Sequence, residues 1–361
     1  VVAAVSKRGS LTVPTITSTA VSWRMEAIVQ QEYGSPDRLE LADAAAPTIE
    51  ADEVLIRVHA ASVHPDVWHV VRGEPFVLRF MGAGLRRPKQ PIPGTDVAGR
   101  VEAVGGDVSR FQSGDAVFGE TIRDSQWVNG GAYAEQVAAP ADALAHKPER
   151  LSFEEAAAVP TSGLIALQGV RFQGKVRDEQ AVLVNGAAGG VGHFAVQIAV
   201  ADGATVTGVD SGEKLETVKS LGATHVLDFT CEDFTRRPER YDCIVDIPGN
   251  HSFDACKRVL TQEGTYVLIG HDHYGATGNR VFGSLPRFIK QLAVSRFTSH
   301  LPPIDFTTPA KSESMAALTE LIESGNLKPI VDRTFPLEAA PVALRYLASG
   351  RVQGKIVLTV T

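Results

Sequence analysis

The chain has 361 residues, which suggests about two domains rather than one. Hydrophobic residues make up 44% of it and charged residues 21%, as in an ordinary globular protein. Its 35 Lys and Arg against 42 Asp and Glu give a net charge of -7, which argues against nucleic acid as an obligatory partner because phosphate neutralisation needs a basic excess.

Three cysteines are present, Cys231, Cys243 and Cys256, and their spacing matches no metal-ligand pattern. Since all three lie in strand-like or helix-like runs, we expect buried, reduced thiols in a cytoplasmic protein rather than disulfides. No run reaches the roughly 20 apolar residues that a membrane-spanning helix needs. Stable membrane insertion is therefore not expected.

The first 24 residues have an unusual composition. They contain no Asp or Glu and are rich in Ser and Thr, which is typical of a transit peptide. The run that starts at Met25 (MEAIVQQEYG), by contrast, is typical of a strand. We therefore expect residues 1–24 to be an N-terminal extension, disordered or non-native, with a transit peptide as the alternative.

From Met25 to Lys147, short strands are separated by Gly and Pro. Alternating apolar residues over 54–60 (VLIRVHA) predict a half-buried strand. Residues 97–119 predict two strands, the second after the Gly114-Asp115 turn. Such spacing favours a small antiparallel β-barrel over βαβ units.

The pattern changes near residue 150. Residues 151–170 have a helical pattern, in which Ser152 and Glu155 are placed to form a capping box. From residue 181 onward, apolar strands alternate with helices, which predicts a parallel, doubly wound sheet.

The C-terminal third is less regular at first. Residues 271–310 show no periodicity and are rich in Gly, Pro, Phe and basic residues. The remaining residues predict a helix over 311–324, a second helix over 338–349 and a last strand, KIVLTV.

The most informative segment is VLVNGAAGGVGHFAVQIAV, in which a buried strand runs into a glycine-rich loop and then a helix. Ala187 stands at the first position of the usual glycine fingerprint, followed by Gly189 and Gly192. Gly189 would let the backbone approach a pyrophosphate, and Gly192 would let the helix pack close to the strand. The helix N-terminus would present unpaired N–H groups to the phosphates. The segment therefore predicts a nicotinamide dinucleotide site on a Rossmann domain.

The end of the next strand bears on which nicotinamide cofactor is bound. Asp210 closes that strand (TVTGVD) eighteen residues after Gly192, and an acid there usually holds the ribose 2′-hydroxyl of NAD(H). Ser211 and Lys214 follow directly, and both could hold the 2′-phosphate of NADP(H). The residues alone therefore leave both cofactors open.

Several separate motifs point to one family: GRVEAVGGDVSRFQSGDAVFG (99–119), AAGGVG (187–192), KSLGATHVLDF (219–229) and GKIVLTV (354–360). From Met25 to Val360 the chain resembles the medium-chain dehydrogenase/reductases, in particular the zinc-free, zeta-crystallin-like NADPH:quinone oxidoreductases. The resemblance implies an α/β fold, with a GroES-like antiparallel β-barrel as catalytic domain and a Rossmann domain with a doubly wound parallel sheet. The expected boundaries are 25–150 and 305–361 for the catalytic domain and 151–304 for the Rossmann domain.

The resemblance also implies a cofactor, NADPH with NADH as the alternative, and a homodimer. Its cofactor contacts run from the pyrophosphate loop through the adenosine phosphate and the adenine to the nicotinamide. The residues so assigned, together with those of the glycine loop and the following strand end, are Gly186, Ala188, Gly189, Gly190, Val191, Asp210, Ser211, Lys214, Phe229, Gly249, Ile269, Gly270 and His271.

No zinc is expected. Zinc-binding branches of the family place a Cys after the early strand, a Gly-His-Glu motif and a four-Cys lobe. Here the first two places read SVHPD (62–66) and GTD (94–96), and the lobe is missing. An alternative donor set is His64, Asp66, His69 and Asp96, although ordinary polar loop residues are the interpretation we favour.

The predicted reaction is hydride transfer from NAD(P)H to a quinone or another conjugated carbonyl, a small lipophilic acceptor. Without a metal, the protein mainly has to hold nicotinamide and acceptor about 3–3.5 Å apart. His69 is the candidate proton donor, with a buried, backbone-bonded histidine as the equal alternative, and His64 and Asp66 are further catalytic candidates. His64, His69 and Ile165 depart from the branch's usual residues. The alternative functions are an enoyl-thioester or alkenal reductase, and an NADPH-binding sensor or structural protein without turnover.

Two segments mix apolar and basic residues, 72–90 (RGEPFVLRFMGAGLRRPKQ) and 281–298 (VFGSLPRFIKQLAVSRFT). Such a mixture could hold a lipophilic quinone or touch an anionic membrane surface. We favour the interpretation that one segment covers the pocket and the other joins the dimer interface.

Overall fold

The structure, a computed structural model, describes residues 24–123, 127–270, 280–283, 285–302 and 309–360. The predicted N-terminal extension, apart from Arg24, and the predicted cofactor residue His271 lie outside the described residues. Among the helices of these ranges, none is long and apolar enough to cross a membrane.

The strands in the described part of the chain are β1 (Arg24–Val29), β2 (Glu40–Ala45), β3 (Glu53–Val63), β4 (Asp96–Val104), β5 (Ala116–Glu120), β6 (Gln136–Pro140), β7 (Leu144–His146), β8 (Ala181–Asn185), β9 (Thr205–Asp210), β10 (His225–Asp228), β11 (Tyr241–Asp246), β12 (Leu260–Leu268), β13 (Val331–Pro336) and β14 (Lys355–Thr359). The α-helices are α1 (Pro65–Arg72), α2 (Phe153–Ala157), α3 (Pro160–Leu167), α4 (Gly192–Ala201), α5 (Leu215–Ser220), α6 (Phe253–Lys257), α7 (Leu285–Ser295), α8 (Lys311–Glu323) and α9 (Ala340–Ala348).

The catalytic domain is built around a sheet of order β13-β14-β3-β4-β5-β7, with β6 pairing on β3. All pairings in this sheet are antiparallel except β13 with β14. Val54, Ile56 and Val58 point into the barrel core and alternate with more exposed neighbours, as the sequence predicted. From Ala60 onward both faces of β3 are buried, because Ala60 packs against the core that α2 and α3 share with the Rossmann domain.

The Rossmann domain has a fully parallel sheet of order β10-β9-β8-β11-β12. Apolar clusters cover both of its faces, as a parallel sheet requires. The strand order reverses between β8 and β11, and the carboxyl ends of these strands flank the crevice in which such folds bind their ligands.

The predicted helix near residue 150 is two helices. The capping box is confirmed: the amide of Glu155 donates to Ser152 Oγ (3.1 Å), and the amide of Ser152 donates to Glu155 Oε2 (3.0 Å). Pro160 begins a second helix because a proline is tolerated in the first turn but not in a helix interior.

One detail of the C-terminal third differs from expectation. Residues 271–310 were predicted to lack periodicity, yet they contain α7, whose apolar positions 285, 288, 289 and 292 do follow helical spacing. Pro286 in its first turn and the surrounding Gly and Pro hid this pattern. Helix α8 packs in the core that Phe118 and Ala145 of the barrel share with the Rossmann domain, and β13, β14 and α9 pack against the barrel core. The domain boundary near 305 falls outside the described residues and stays a prediction.

Candidate active site

The loop after β8 exposes backbone amides at the N-terminus of α4. Gly186 has a φ of 81°, in the left-handed region that glycine favours. A Cβ on Gly192 would lie 1.9 Å from the Gly186 carbonyl oxygen, so no larger residue fits there. A Cβ on Gly189 would meet only that same oxygen, at 3.3 Å, so one side of the loop is open. The amides of Gly190 and Val191 donate to no other group of the described chain, which leaves them free for a pyrophosphate.

Asp210 lies beside this loop at the end of β9. Its Oδ2 accepts the amide of Ala188 (2.8 Å) and its Oδ1 accepts the amide of Ser211 (2.9 Å), and only 8% of the side chain is exposed. The amide of Ala188, which the resemblance assigned to the pyrophosphate, is therefore engaged by Asp210 in this structure. Phe229 is half-exposed beside Asp210, to whose carbonyl its amide donates (3.2 Å).

Lys214 is engaged by carbonyl groups of the chain itself. Its buried ammonium donates to the carbonyl oxygens of Gly350 (3.1 Å) and Val352 (3.0 Å), and it lies 4.0 Å from Asp210 Oδ1. The side chain therefore ties the Rossmann domain to the chain segment that precedes β14.

The residues assigned to the nicotinamide side lie together at the carboxyl ends of β11 and β12. Asp246 accepts the amide of Gly249 (2.9 Å) and the hydroxyl of Tyr266 (2.7 Å), and its carbonyl accepts the amide of Ile269 (2.9 Å). Gly249 has a φ of 64°, and a Cβ there would lie 3.1 Å from the Gly270 carbonyl oxygen. Both the positive φ and this close backbone approach favour glycine at position 249.

A buried polar cluster joins the barrel to the Rossmann domain. The hydroxyl of Ser62 donates to Asp96 Oδ2 (2.5 Å), and the amide of Thr161 donates to Asp96 Oδ1 (3.1 Å). Lys355 lies 3.7 Å from Asp96 Oδ2 and donates to Ser162 Oγ (2.9 Å). These side chains come from β3, β4, β14 and α3, and the cluster therefore fixes how the two domains meet.

The Thr161 hydroxyl lies between two carboxyl groups of this cluster. Its Oγ1 lies 2.5 Å from Asp96 Oδ1 and 2.7 Å from Glu120 Oε1, but one hydroxyl has only one proton to donate. Burial raises the pKa of Glu120, whose other oxygen accepts from Lys311 (2.7 Å). The hydroxyl therefore donates to one of the two carboxyl groups at a time.

His64 and Asp66 lie next to this cluster. His64 Nε2 is bonded to Thr95 Oγ1 (2.6 Å), while the buried Nδ1 has no hydrogen-bond partner in the described chain and lies 3.7 Å from Asp66 Oδ2. Burial lowers the pKa of His64 to about 4, so the ring is neutral at pH 7. Burial, with the Asp96 charge, raises the pKa of Asp66 to about 7. Of these two catalytic candidates, only Asp66 can release a proton near neutrality.

His69 is a buried histidine bonded to a backbone carbonyl, as the alternative to a proton-donor role predicted. It is buried on α1, and its Nδ1 lies 2.8 Å from the carbonyl oxygen of Glu74, to which it must donate. Its ring contacts Trp68 (5.1 Å between centroids) and Trp127 (5.8 Å) edge-on. A role as proton donor stays a prediction.

The residues present do not fit a catalytic zinc. The places of the Cys and His ligands hold Ser62 and Thr95, whose hydroxyls are bonded to Asp96 and His64. Among the described residues, no three His, Cys, Asp or Glu side chains converge as a metal ion requires.

Sequence reasoning missed five members of the buried cluster, Thr161, Ser162, Glu120, Lys311 and Lys355. Two of them carry a signal: Lys355 opens an apolar strand and Glu120 ends one, and a charge in such a run is rarely buried without a partner.

Comparisons with known proteins agree with this architecture. Residues 50–149 match the model of the alcohol dehydrogenase GroES-like domain, and residues 221–358 match that of the zinc-binding dehydrogenases. A 2-methylene-furan-3-one reductase of Solanum lycopersicum is 32% identical over 95% of this chain and 81% of its own length. The human quinone oxidoreductase is 30% identical over 92% of this chain and 97% of its own length.

The chain belongs to the medium-chain dehydrogenase/reductase family. A solved structure supports the same assignment: the quinone oxidoreductase from Coxiella burnetii superposes with a TM-score of 0.76 at 29% identity, over 94% of this chain and all of that one. The predicted family, fold class and NAD(P)H-dependent oxidoreductase class are confirmed. The individual site residues stay predictions.

Proposed function

We propose that this member of the family transfers hydride from NAD(P)H to a quinone or another conjugated carbonyl without zinc. One observation carries the proposal: the glycine loop and the catalytic-domain cluster meet at Lys355. A Cβ on Gly190 would lie 3.4 Å from Lys355 Cδ, and Lys355 in turn lies 3.7 Å from Asp96. A dinucleotide on the loop amides would therefore lie beside the cluster that neighbours His64 and Asp66.

The chemistry divides between cofactor and protein. Bound NAD(P)H supplies the hydride. The loop amides of Gly190 and Val191 would hold the pyrophosphate, and Asp66 would supply the proton that the acceptor needs, beside the neutral ring of His64. A conjugated acceptor needs little electrophilic help, which agrees with a donor set that does not fit zinc. The names of two relatives, which specify a quinone and a 2-methylene-furan-3-one, support this acceptor class.

We propose NADH rather than NADPH as the preferred cofactor. Asp210 places a carboxylate where a 2′-phosphate would bind, and Lys214, the cation that could neutralise that phosphate, is bonded to two backbone carbonyls. Ribose hydroxyls are suitable donors to this carboxylate. This choice departs from the NADPH that the family resemblance implies.

Turnover of the purified protein tests the proposal. Oxidation of NADH and NADPH is followed with a naphthoquinone and a medium-chain enone, with and without a chelator. Fast oxidation of NADH with either acceptor, unaffected by the chelator, would support it. Cofactor binding without turnover on both acceptors would refute it and favour a sensor or structural protein, whereas strong preference for an enoyl thioester would favour the reductase alternative.

A homodimer and a cytoplasmic location complete the proposal, both as the resemblance and the composition imply. Relatives whose names specify chloroplasts and mitochondria make the location worth testing directly. Sedimentation equilibrium measures the oligomeric state, and fluorescence of a tagged full-length protein shows the location in the cell.

A further inference from the structure

The two mixed apolar and basic segments lie side by side in the structure. The amide of Phe76 donates to the carbonyl of Arg280 (2.7 Å), and the amide of Val77 donates to that of Val281 (3.0 Å). A Cβ on Gly283 would lie 2.6 Å from Pro75 Cγ, so the two segments are also in contact there. Residues 72–90 and the described part of 280–298 therefore form one surface, here called the basic apolar face.

This face holds most of the exposed large apolar side chains. In the described part of the chain, twelve such residues are exposed, and eight belong to the face although it has about a tenth of the residues. Phe80 is 69% exposed and Phe297 is 88% exposed. The others are Phe76, Met81, Leu85, Val281, Phe282 and Ile289. Such a concentration indicates a surface that binds something.

The charge of the face is opposite to that of the rest of the chain. Its two segments contain nine Lys and Arg against the single acid Glu74, a net charge of +8. The remaining residues contain 26 Lys and Arg against 41 Asp and Glu, a net charge of -15. The cations exposed among the apolar side chains are Arg86, Arg87, Lys89, Arg280, Lys290 and Arg296. The partner that complements this surface is apolar and anionic.

We propose that the basic apolar face docks the protein on an anionic lipid surface, lying on the bilayer without crossing it. Interleaved aromatic and basic side chains suit the headgroup boundary, where the apolar groups enter and the cations meet acidic headgroups. A second copy of the chain fits less well, because a twofold interface would place the same +8 surface against itself. Nucleic acid offers the charge but no apolar layer for Phe80 and Phe297.

Docking through the basic apolar face would bring the candidate active site close to the membrane, and this inference rests on the proposed function. Arg287 of α7 contacts the carbonyl oxygen of Gly249 and donates to that of His251 (2.7 Å). The face is therefore fixed to the turn assigned to the nicotinamide side. A lipophilic quinone dissolved in the bilayer would reach the site without passing through water.

Vesicle sedimentation of the full chain tests the docking separately from turnover. Phosphatidylcholine vesicles are compared with vesicles containing 30% phosphatidylserine at about 0.1 M salt. The double variant Arg86→Glu/Arg87→Glu should lower binding to the anionic vesicles about 30-fold or more, since each basic residue near such a surface contributes about 1 kcal/mol. Phe80→Ser/Phe297→Ser should lower it at least tenfold. The matched controls are Lys257→Glu/Arg258→Glu, an exposed pair elsewhere, and Phe172→Ser.

Binding that requires the anionic lipid, weakens in 1 M salt and is lost only in the face variants supports the proposal. Equal binding to both vesicle types, no binding, or equal loss in face and control variants overturns it. Sedimentation equilibrium tests self-association. If the parent is a dimer that does not bind vesicles, and Phe80→Ser/Phe297→Ser dissociates that dimer, the basic apolar face is a dimer interface instead. Vesicle binding by a protein without quinone turnover would overturn the proposed function and leave the docking surface intact.

Discussion

Replacing Asp210 with Ser should shift cofactor preference from NADH toward NADPH. A 2′-phosphate bound there would lie near the Asp210 carboxylate, and two unit charges 4 Å apart repel by about 4 kcal/mol at the effective dielectric of a protein surface. Lys214, 4.0 Å from the same carboxylate, offsets part of this repulsion. We expect a net gain of about 1–2 kcal/mol for NADPH, a 5- to 30-fold rise in kcat/KM.

The same substitution should weaken the use of NADH. Asp210 can accept the ribose hydroxyls in hydrogen bonds to a charged group, which contribute about 1.5–3 kcal/mol. Their loss lowers kcat/KM for NADH by about 10- to 150-fold. Steady-state kinetics of both cofactors with one quinone measures the two changes together, and Asp107→Ser, an exposed acid of the barrel, is the control.

Lys214→Met separates this explanation from one in which Lys214 binds the phosphate. Since the ammonium holds the carbonyls of Gly350 and Val352, the variant should lose stability and weaken both cofactors alike. A parent that prefers NADPH more than tenfold, an Asp210→Ser variant with unchanged preference, or a Lys214→Met variant that loses only the use of NADPH would refute the role assigned to Asp210.

Three further predictions concern packing, protonation and thiols. Gly192→Ala should cost about 3 kcal/mol or more in thermal unfolding because its methyl would overlap the Gly186 carbonyl. Gly190→Ala should cost much less, because its methyl would meet Lys355, Gly354 and Ser162 no closer than 3.4 Å; equal melting temperatures would contradict this. Asp66→Asn should become more stable relative to the parent as the pH rises from about 4 to 7, by at most about 4 kcal/mol. The folded parent keeps the Asp66 proton up to its raised pKa of about 7, whereas the unfolded chain loses that proton near pH 3.8, so the parent loses stability over this pH range. Urea unfolding at several pH values measures it, and a difference that does not vary with pH would sink the assignment. An aromatic disulfide at pH 8 should modify only exposed Cys231 in the native protein and three thiols in urea, because burial raises the pKa of the Cys243 and Cys256 thiols to about 12; rapid reaction of more than one native thiol would show that the core opens.

The sequence was sufficient where the deciding signals are local. The strand, glycine loop and helix around Gly189 occupy consecutive residues, and so do Ser152 and Glu155 of the capping box. The sequence did not predict helix α7 because its apolar pattern covers few residues, and because Pro286 stands in its first turn among other turn-forming residues. Local patterns therefore predicted most of the elements and the cofactor loop.

The buried cluster could not be found in this way. Asp96, Thr161 and Lys355 are separated by many residues, and no spacing rule relates them. Their contacts exist only because β4 and β14, in the barrel, pack against α3 of the Rossmann domain. The same holds for Lys214, whose role depends on carbonyl groups more than 130 residues away along the chain.

The segment that leads into β14 belongs to both domains. The amide of Gly354 donates to the Ala188 carbonyl in the glycine loop (2.8 Å), Lys214 holds the carbonyls just before it, and Leu358 is buried in the barrel core. A chimera that exchanged the Rossmann domains of two relatives at residues 151 and 304 would pair the segment before β14 of one parent with the glycine loop of the other. Exchanging residues 350–355 with the domain would keep the cofactor loop and its support from the same parent.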